Sequence, residues 1–300
     1  MQSENMPITV IKAEQITRSF GDTKAVMGID IKVLEGEIFG FLGPNGAGKT
    51  TSIKMLTTML RPDSGSIEIN GYDLKKNMTE AKASIGICQQ QISLDKDLSV
   101  KNNIKHHAIL RKMYSKDIKA QMAELVEIMG LAPFLDMKVN ELSGGWRRRV
   151  SLVCSIIHRP KILFLDEPTA GLDTKSRHML WDMIRRLNRE GITIFLTTHY
   201  IEEAEGLCNR VAIINMGRTV AEGSPKELCD SIGSVTVEYL DERGAVIKKH
   251  FGDIKEGKEF MTGLNTGMSL RKTTLEDVFL TVTGEEYFRG ETYGAPKDIG

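Results

Sequence analysis

The sequence predicts an α/β fold built on a mostly parallel sheet, and three observations carry that prediction. First, the apolar run EIFGFL at 37–42 leads directly into the glycine-rich stretch GPNGAGKTT at 43–51. Second, KILFLD at 161–166 and ITIFLT at 192–197 are continuous apolar runs, as strands buried on both faces require. Third, the segment between those two runs carries Leu180, Met183, Ile184 and Leu187 at helical spacing. Strands alternating with helices in this way call for parallel pairing, with the helices covering the faces of the sheet.

Taken in order, residues 8–19 and 24–34 read as two strands around the turn at 20–23, an N-terminal antiparallel β subdomain; Ile29, Ile31 and Val33 alternate at period two. Residues 50–60 place Ile53, Leu56 and Leu60 on one helix face. GSIEING at 65–71 is a short alternating strand, and ASIGIC at 83–88 is another that runs into Gln89, Gln90 and Gln91. From 99 to 135 the pattern turns helical, with Ile118, Met122, Leu125 and Met129 on one stripe. Ser143 opens a further helix, which Pro160 stops near 158. The block at about 92–158 therefore reads as a helical subdomain inserted between two parts of the sheet. A strand at 210–215 continues the helix–strand alternation, and the core domain is expected over 8–231. Beyond it, alternating strands at 234–240 and 245–251, a polar stretch and an amphipathic helix at 274–283 suggest a small α+β C-terminal appendage, 232–290. The polar end, 291–300, reads as a mobile tail.

Composition narrows the function. Forty basic and forty acidic residues balance to zero, with a sequence pI near 7.0, so no nucleic-acid partner is expected. The four cysteines are scattered with no C-x-x-C pair, which suits reduced thiols. The N-terminus lacks the apolar core of a signal peptide, and no apolar run approaches the roughly 20 residues of a membrane helix. Any membrane role is expected to come through a partner.

The stretch at 43–50 spells G-x-x-x-x-G-K-[ST], a phosphate-binding loop that chance supplies in roughly one chain of this length in a hundred. Between a strand and a helix, Gly43, Gly46 and Gly48 let successive N–H groups turn inward as an anion nest, helped by the helix dipole. Lys49 can reach the terminal phosphates, and the Thr50 hydroxyl can ligate magnesium. At the end of the second apolar run, Asp166 would hold magnesium through water, and Glu167 would sit beside the terminal phosphate. A carboxylate there can polarise an attacking water, a step worth about 10² to 10⁴ in rate.

LSGGWRRRV at 142–150 breaks local rules. Two glycines occupy a helix start, where each costs up to about 1 kcal/mol against alanine, and Arg147, Arg148 and Arg149 crowd the positive end of the dipole. Either an anionic ligand approaches the bare backbone there, or the segment is a capped helix with a basic exposed face. His199 follows Thr197 and Thr198 at a strand end, on the side where parallel sheets bind ligands; it either packs or faces the phosphates. The pair His106 and His107 suits a solvated helix face.

In this order and spacing, the motifs resemble the nucleotide-binding domain of ATP-binding cassette (ABC) proteins, a P-loop NTPase core, over about residues 8–231. GPNGAGKTT (Gly43, Pro44, Asn45, Gly46, Ala47, Gly48, Lys49, Thr50, Thr51) looks like Walker A, and ILFLDE at 162–167 like Walker B with Glu167 as its catalytic glutamate. LSGGW matches the family signature, GLD at 171–173 the D-loop, and His199 the switch histidine. Gln90 matches the Q-loop glutamine, a catalytic and magnesium-contacting position, although three adjacent glutamines leave its register open by one. Phe20 matches the aromatic residue that stacks on adenine, without the usual tyrosine hydroxyl. Trp146 replaces the usual signature glutamine.

The resemblance implies ATP and Mg2+ as cofactors and a head-to-tail homodimer. Each ATP would lie between the Walker A loop of one copy and Ser143, Gly144 and Gly145 of the other. The segment TLEDVFLTVTG at 274–284 is similar to the C-terminal motif of ATPase subunits of ABC-2-type exporters, such as drug-resistance and polysaccharide exporters. That implies a separate ABC-2-type membrane permease as partner, and a location on the cytoplasmic face of the membrane. The alternative is a soluble ABC ATPase acting on ribosomes or nucleic acid. Such proteins usually carry two cassettes or a long coiled-coil insertion, and this sequence shows neither.

Overall fold

The computed structural model describes residues 8–264 and 266–284. The expected mobile tail at 291–300 lies outside the described residues. The chain divides at Pro225 into two compact units.

The first unit contains two sheets. Strands β1 (Thr9–Phe20), β2 (Thr23–Leu34), β4 (Ser64–Ile69) and β5 (Tyr72–Asp73) form an antiparallel sheet in the order β2-β1-β4-β5. The central sheet joins β3 (Ile38–Leu42), β6 (Ile85–Cys88), β7 (Ile162–Asp166), β8 (Thr193–Thr198), β9 (Arg210–Asn215) and β10 (Arg218–Gly223) in the order β10-β9-β3-β8-β7-β6. Every pairing in it is parallel except that of β10 with β9. Every residue of β3, β7 and β8 is buried, which explains why their sequences read as apolar runs. Phe195 sits at their centre, 5.5 Å from the Phe164 ring, 5.6 Å from Phe39 and 5.7 Å from Phe41.

Parallel register sets up the site. Leu42 pairs with Thr198 and Asp166 with Thr197, so the loops leaving β3, β7 and β8 emerge side by side at the carboxyl edge. Helix α1 (Lys49–Leu56) follows β3 and ends earlier than its apolar pattern predicts. Thr57 turns its hydroxyl back onto the Ile53 carbonyl, 2.7 Å away, and Thr58 takes a left-handed φ of 64°. Helix α2 (Met78–Ser84) is too short and too exposed to leave a periodic trace in the sequence.

The inserted block holds α3 (Val100–Leu110), α4 (Ser115–Ile128) and α5 (Gly144–Ile156). Helix α6 (Thr174–Arg189), N-capped by Asp173, links β7 to β8, and α7 (Ile201–Leu207) links β8 to β9.

The second unit comprises α8 (Pro225–Ile232), β11 (Val235–Leu240), β12 (Val246–Phe251), α9 (Ile254–Thr262), β13 (Met268–Lys272) and α10 (Leu275–Thr283). Its antiparallel sheet runs β12-β11-β13. The stretch that reads as merely polar holds α9 and β13. Only Gly257 of α9 is buried, and β13 is an edge strand, so neither needs an apolar stripe. Buried Asp277 ties α10 to this sheet. It takes two charge-assisted bonds from Arg271, at 2.6 and 2.8 Å, and one from Lys248 at 3.1 Å. Burial pushes its carboxyl up, but these cations and the Thr274 N–H prevail and hold it well below the usual carboxylate range.

Candidate nucleotide-binding and hydrolytic site

The turn between β3 and α1 places the phosphate loop against the sheet. Gly46 (φ 81°) and Gly48 (φ 105°) use left-handed backbone, and a Cβ on Gly48 would stand 2.5 Å from the Ala25 carbonyl. Gly43 is held as tightly by its neighbours: a Cβ there would meet the Ile214 carbonyl at 2.4 Å. Asn45, Gly46 and Thr50 are exposed at the loop surface, while Ala47 and Lys49 are buried. No side chain caps the first turn of α1, so its N–H groups stay available to an anion.

Lys49 Nζ donates to the Gly43 carbonyl at 2.7 Å and the Pro44 carbonyl at 3.0 Å. Glu167 lies 3.8 Å away, an ion-pair separation too long for a hydrogen bond. Burial lowers the ammonium's pKa despite the pull of Glu167 and Asp166, and it raises that of Asp166, with Thr197 opposing. Thr197 Oγ1 donates to Asp166 Oδ1 at 2.6 Å. A phosphate beside Lys49 and a cation beside Asp166 would each relieve a buried charge. This donor set therefore fits a magnesium–nucleotide complex.

Glu167 closes β7 with φ 45°, an unusual conformation for a non-glycine residue. Its N–H meets the Thr197 carbonyl at 3.1 Å, and its side chain is only 10% exposed. Gln90 Nε2 donates to Glu167 Oε2 at 3.0 Å, while Gln89 turns to Met59 and Ser93. Of these two neighbours, it is Gln90 whose side chain reaches the Walker B-like carboxylate. His199 Nδ1 comes within 3.2 Å of Glu167 Oε1 without the alignment of a hydrogen bond, and its ring lies 4.1 Å from that of Tyr200. Lys49, Gln90 and His199, separated widely in sequence, thus converge on one carboxylate, that of Glu167.

The LSGGW segment lies differently. Ser143 starts α5 without a side-chain cap, Ser143 and Gly144 are exposed, and a Cβ on Gly144 would meet nothing within 4 Å. Among the described residues nothing requires glycine at 144, whereas a Cβ on half-buried Gly145 would stand 3.2 Å from the Ser176 hydroxyl. The arginines that follow do not form the basic exposed face considered from sequence. Arg147 donates to the Leu142 carbonyl, Arg149 packs 4.1 Å from the Trp146 ring, and Arg148 is buried. The Trp146 ring lies 4.3 Å from that of Phe134, tilted by 42°, so it packs within the helical block.

Arg148 and Thr197 were not singled out by sequence reasoning. Arg148 stands where α5 is buried at every position from 148 to 156 except Ser151, so no periodic stripe sets it apart. Phe20 stands at the end of β1, half exposed, with the Arg18 guanidinium 5.1 Å from its ring.

Comparison with known proteins agrees with this geometry. A family model described as ABC transporter matches residues 26–170. Daunorubicin resistance ATP-binding protein DrrA3 of Streptomyces coeruleorubidus is 34% identical over 309 residues, covering 94% of this chain and 98% of the relative. Nod factor export ATP-binding protein I of Paraburkholderia xenovorans (strain LB400) is 36% identical over 301 residues, covering 94% and 99%. Among solved structures, cbiO1 from Clostridium perfringens, part of the ABC transporter complex cbiONQ, superposes with a TM-score of 0.68 at 30% identity, covering 73% of this chain and 90% of that one. With a converged nucleotide site and relatives matched almost end to end, the chain belongs to the ATP-binding cassette family of transporter ATPases.

Proposed function

We propose that the chain is the ATP-hydrolysing subunit of a two-component exporter, acting as a head-to-tail homodimer with a separate ABC-2-type permease on the cytoplasmic face of a membrane. The observation that carries it is the contrast within one chain between a packed phosphate loop and an exposed, uncapped helix start at Ser143 and Gly144. The exporter assignment rests on the relatives' names and the end-to-end match. Among the described residues, no helix is long and apolar enough to cross a membrane, so the membrane path falls to a partner.

In this reading the loop from Gly43 to Thr51 and Lys49 bind the phosphates, and Phe20 stacks on adenine. Thr50, Gln90 and Asp166 would hold magnesium, which supplies charge neutralisation on the phosphates. Glu167 takes a proton from the attacking water. Gln90 fixes one of its oxygens, and His199 stands beside the other. Buried Lys49 keeps the terminal phosphate against this carboxylate. The Ser143-Gly144-Gly145 backbone of the second copy completes the site, so nucleotide binding governs dimer closure and hydrolysis governs reopening.

The test is to purify the Glu167→Gln chain from native membranes with ATP and identify what accompanies it. Recovery of a multi-span membrane protein with a dimer of the chain is the expected result. Recovery of ribosomal proteins, or of a monomer at saturating ATP, would overturn the proposal.

A further inference from the structure

Resting on that reading of the site, we infer that Arg148 is a positioning residue that couples the signature helix α5 to the Gln90–Glu167 pair. The residue is 4% exposed, and its guanidinium reaches two separate catalytic segments at once. Nε donates to the Pro168 carbonyl at 2.8 Å, and Nη2 donates to the Asp166 and Glu167 carbonyls at 3.1 and 3.3 Å. Nη1 donates to the Gln89 carbonyl and, at 3.4 Å, to the Gln90 carbonyl. Each of these partners is a main-chain carbonyl. A buried cation is costly, and here backbone dipoles of the Q-loop and of the end of β7 compensate it.

This arrangement has a specific consequence. Two of the five residues whose carbonyls Arg148 holds, Gln90 and Glu167, are also those whose side chains meet at 3.0 Å. The side-chain contact and the backbone clamp therefore fix the same two segments from opposite sides. Glu167 is also the residue with φ 45°, and the Arg148 bond to its carbonyl helps to hold that conformation. Arg148 follows Ser143-Gly144-Gly145 by little more than one turn of α5, so a displacement of the exposed helix start carries the guanidinium with it. Engagement of that helix start by the nucleotide of a second copy thus moves Gln90 and Glu167 together in this copy's own site. Lysine cannot replace this function. Its single ammonium lacks the planar fork that spans two loops, although it keeps the charge.

The test compares wild type, Arg148→Lys and Arg148→Ala, each in wild-type and Gln90→Ala backgrounds. The measurements are kcat and KM for ATP, nucleotide affinity and Tm. For Arg148→Lys, kcat is expected to fall about 10- to 100-fold, with KM and nucleotide affinity within about twofold and Tm nearly unchanged. In the Gln90→Ala background the same substitution should cost much less, because the pair through which Arg148 acts is already broken. Arg148→Lys keeps the proposal testable if Arg148→Ala fails to fold. Undiminished kcat, or a loss equal in both backgrounds, would overturn the coupling role. Absence of ATPase activity in wild type would instead count against the underlying site assignment.

Discussion

The phosphate loop and the signature segment are both glycine-rich starts of helices, yet the chain treats them in opposite ways. At Gly43 and Gly48 an added Cβ would strike backbone carbonyls at 2.4 and 2.5 Å, and Lys49 is folded onto loop carbonyls. At Gly144 an added Cβ would meet open space, and Ser143 makes no capping bond. The first set of glycines is demanded by the fold. At Gly144 the fold makes no such demand, and in the proposed head-to-tail dimer that position answers to the nucleotide held by the second copy.

The largest expected effect breaks this comparison at the carboxylate between the two halves. Glu167→Gln keeps the shape of the site and its contact with Gln90, but removes the carboxylate proposed as the base. Phosphate release should fall about 10²- to 10⁴-fold with ATP binding retained. If the two halves belong to two chains, this variant with ATP should also run as a dimer in light scattering. A monomer that still turns over would show that the phosphate loop suffices alone. Next in size, Lys49→Ala removes the ammonium that stands in the loop, and ATP affinity by calorimetry should weaken about 10- to 100-fold. Unchanged affinity would mean that the loop backbone alone holds the phosphates.

The two glycine classes can then be set against each other directly. Gly48→Ala forces a β-carbon into a left-handed position against Ala25, and should cost about 2 kcal/mol or more in thermal unfolding. Gly144→Ala meets no such contact and favours the helix, so stability should hold or rise by up to about 1 kcal/mol. In the Glu167→Gln background, however, Gly144→Ala should weaken the ATP-dependent dimer, read by sedimentation. Equal losses of stability at both positions would erase the distinction.

How much was legible in the sequence follows the same line. The buried strands β3, β7 and β8 announced themselves as apolar runs because they are covered on both faces, and the phosphate loop because backbone geometry demands glycine. Helices α2 and α9 and strands β10 and β13 did not, because a short or largely exposed element needs little apolar patterning. At the site, motif spacing marked Lys49, Asp166 and Glu167. Arg148 escaped because its partners are main-chain carbonyls, which leave no trace in side-chain patterns. Its neighbours Arg147 and Arg149 disguised it as part of a charge run. The choice between Gln89 and Gln90 also required three dimensions, since only the side-chain geometry at Glu167 separates them.

The smallest effect sharpens the contrast along α5 itself, whose start is exposed and whose far end is buried. Just beyond that end, His158 Nε2 faces the Ile85 carbonyl at 3.0 Å, while Nδ1 is buried without a partner. Burial, with the Arg111 charge, pushes its pKa down to about 4, against the pull of the Ile85 carbonyl. An unfolded histidine titrates near 6.5, so below that pH the unfolded chain takes up a proton that the folded chain refuses. The contribution is therefore fully present above about pH 6.5 and is lost progressively as pH falls towards 4. Around pH 5.5 that amounts to about 1 kcal/mol. Urea unfolding at pH 7, 6 and 5 should show a steeper decline for wild type than for His158→Gln, which can still donate to the Ile85 carbonyl. Hydrogen exchange should locate the loosening at β6 and the end of α5, with the amides of Ser143, Gly144 and Gly145 unaffected. Identical pH dependence in the two proteins would remove the buried end of α5 as the acid-sensitive point. Acid exchange that begins at Ser143 would mean that both ends of the helix respond as one, and that its start is less independent of the packed core than the open space around Gly144 implies.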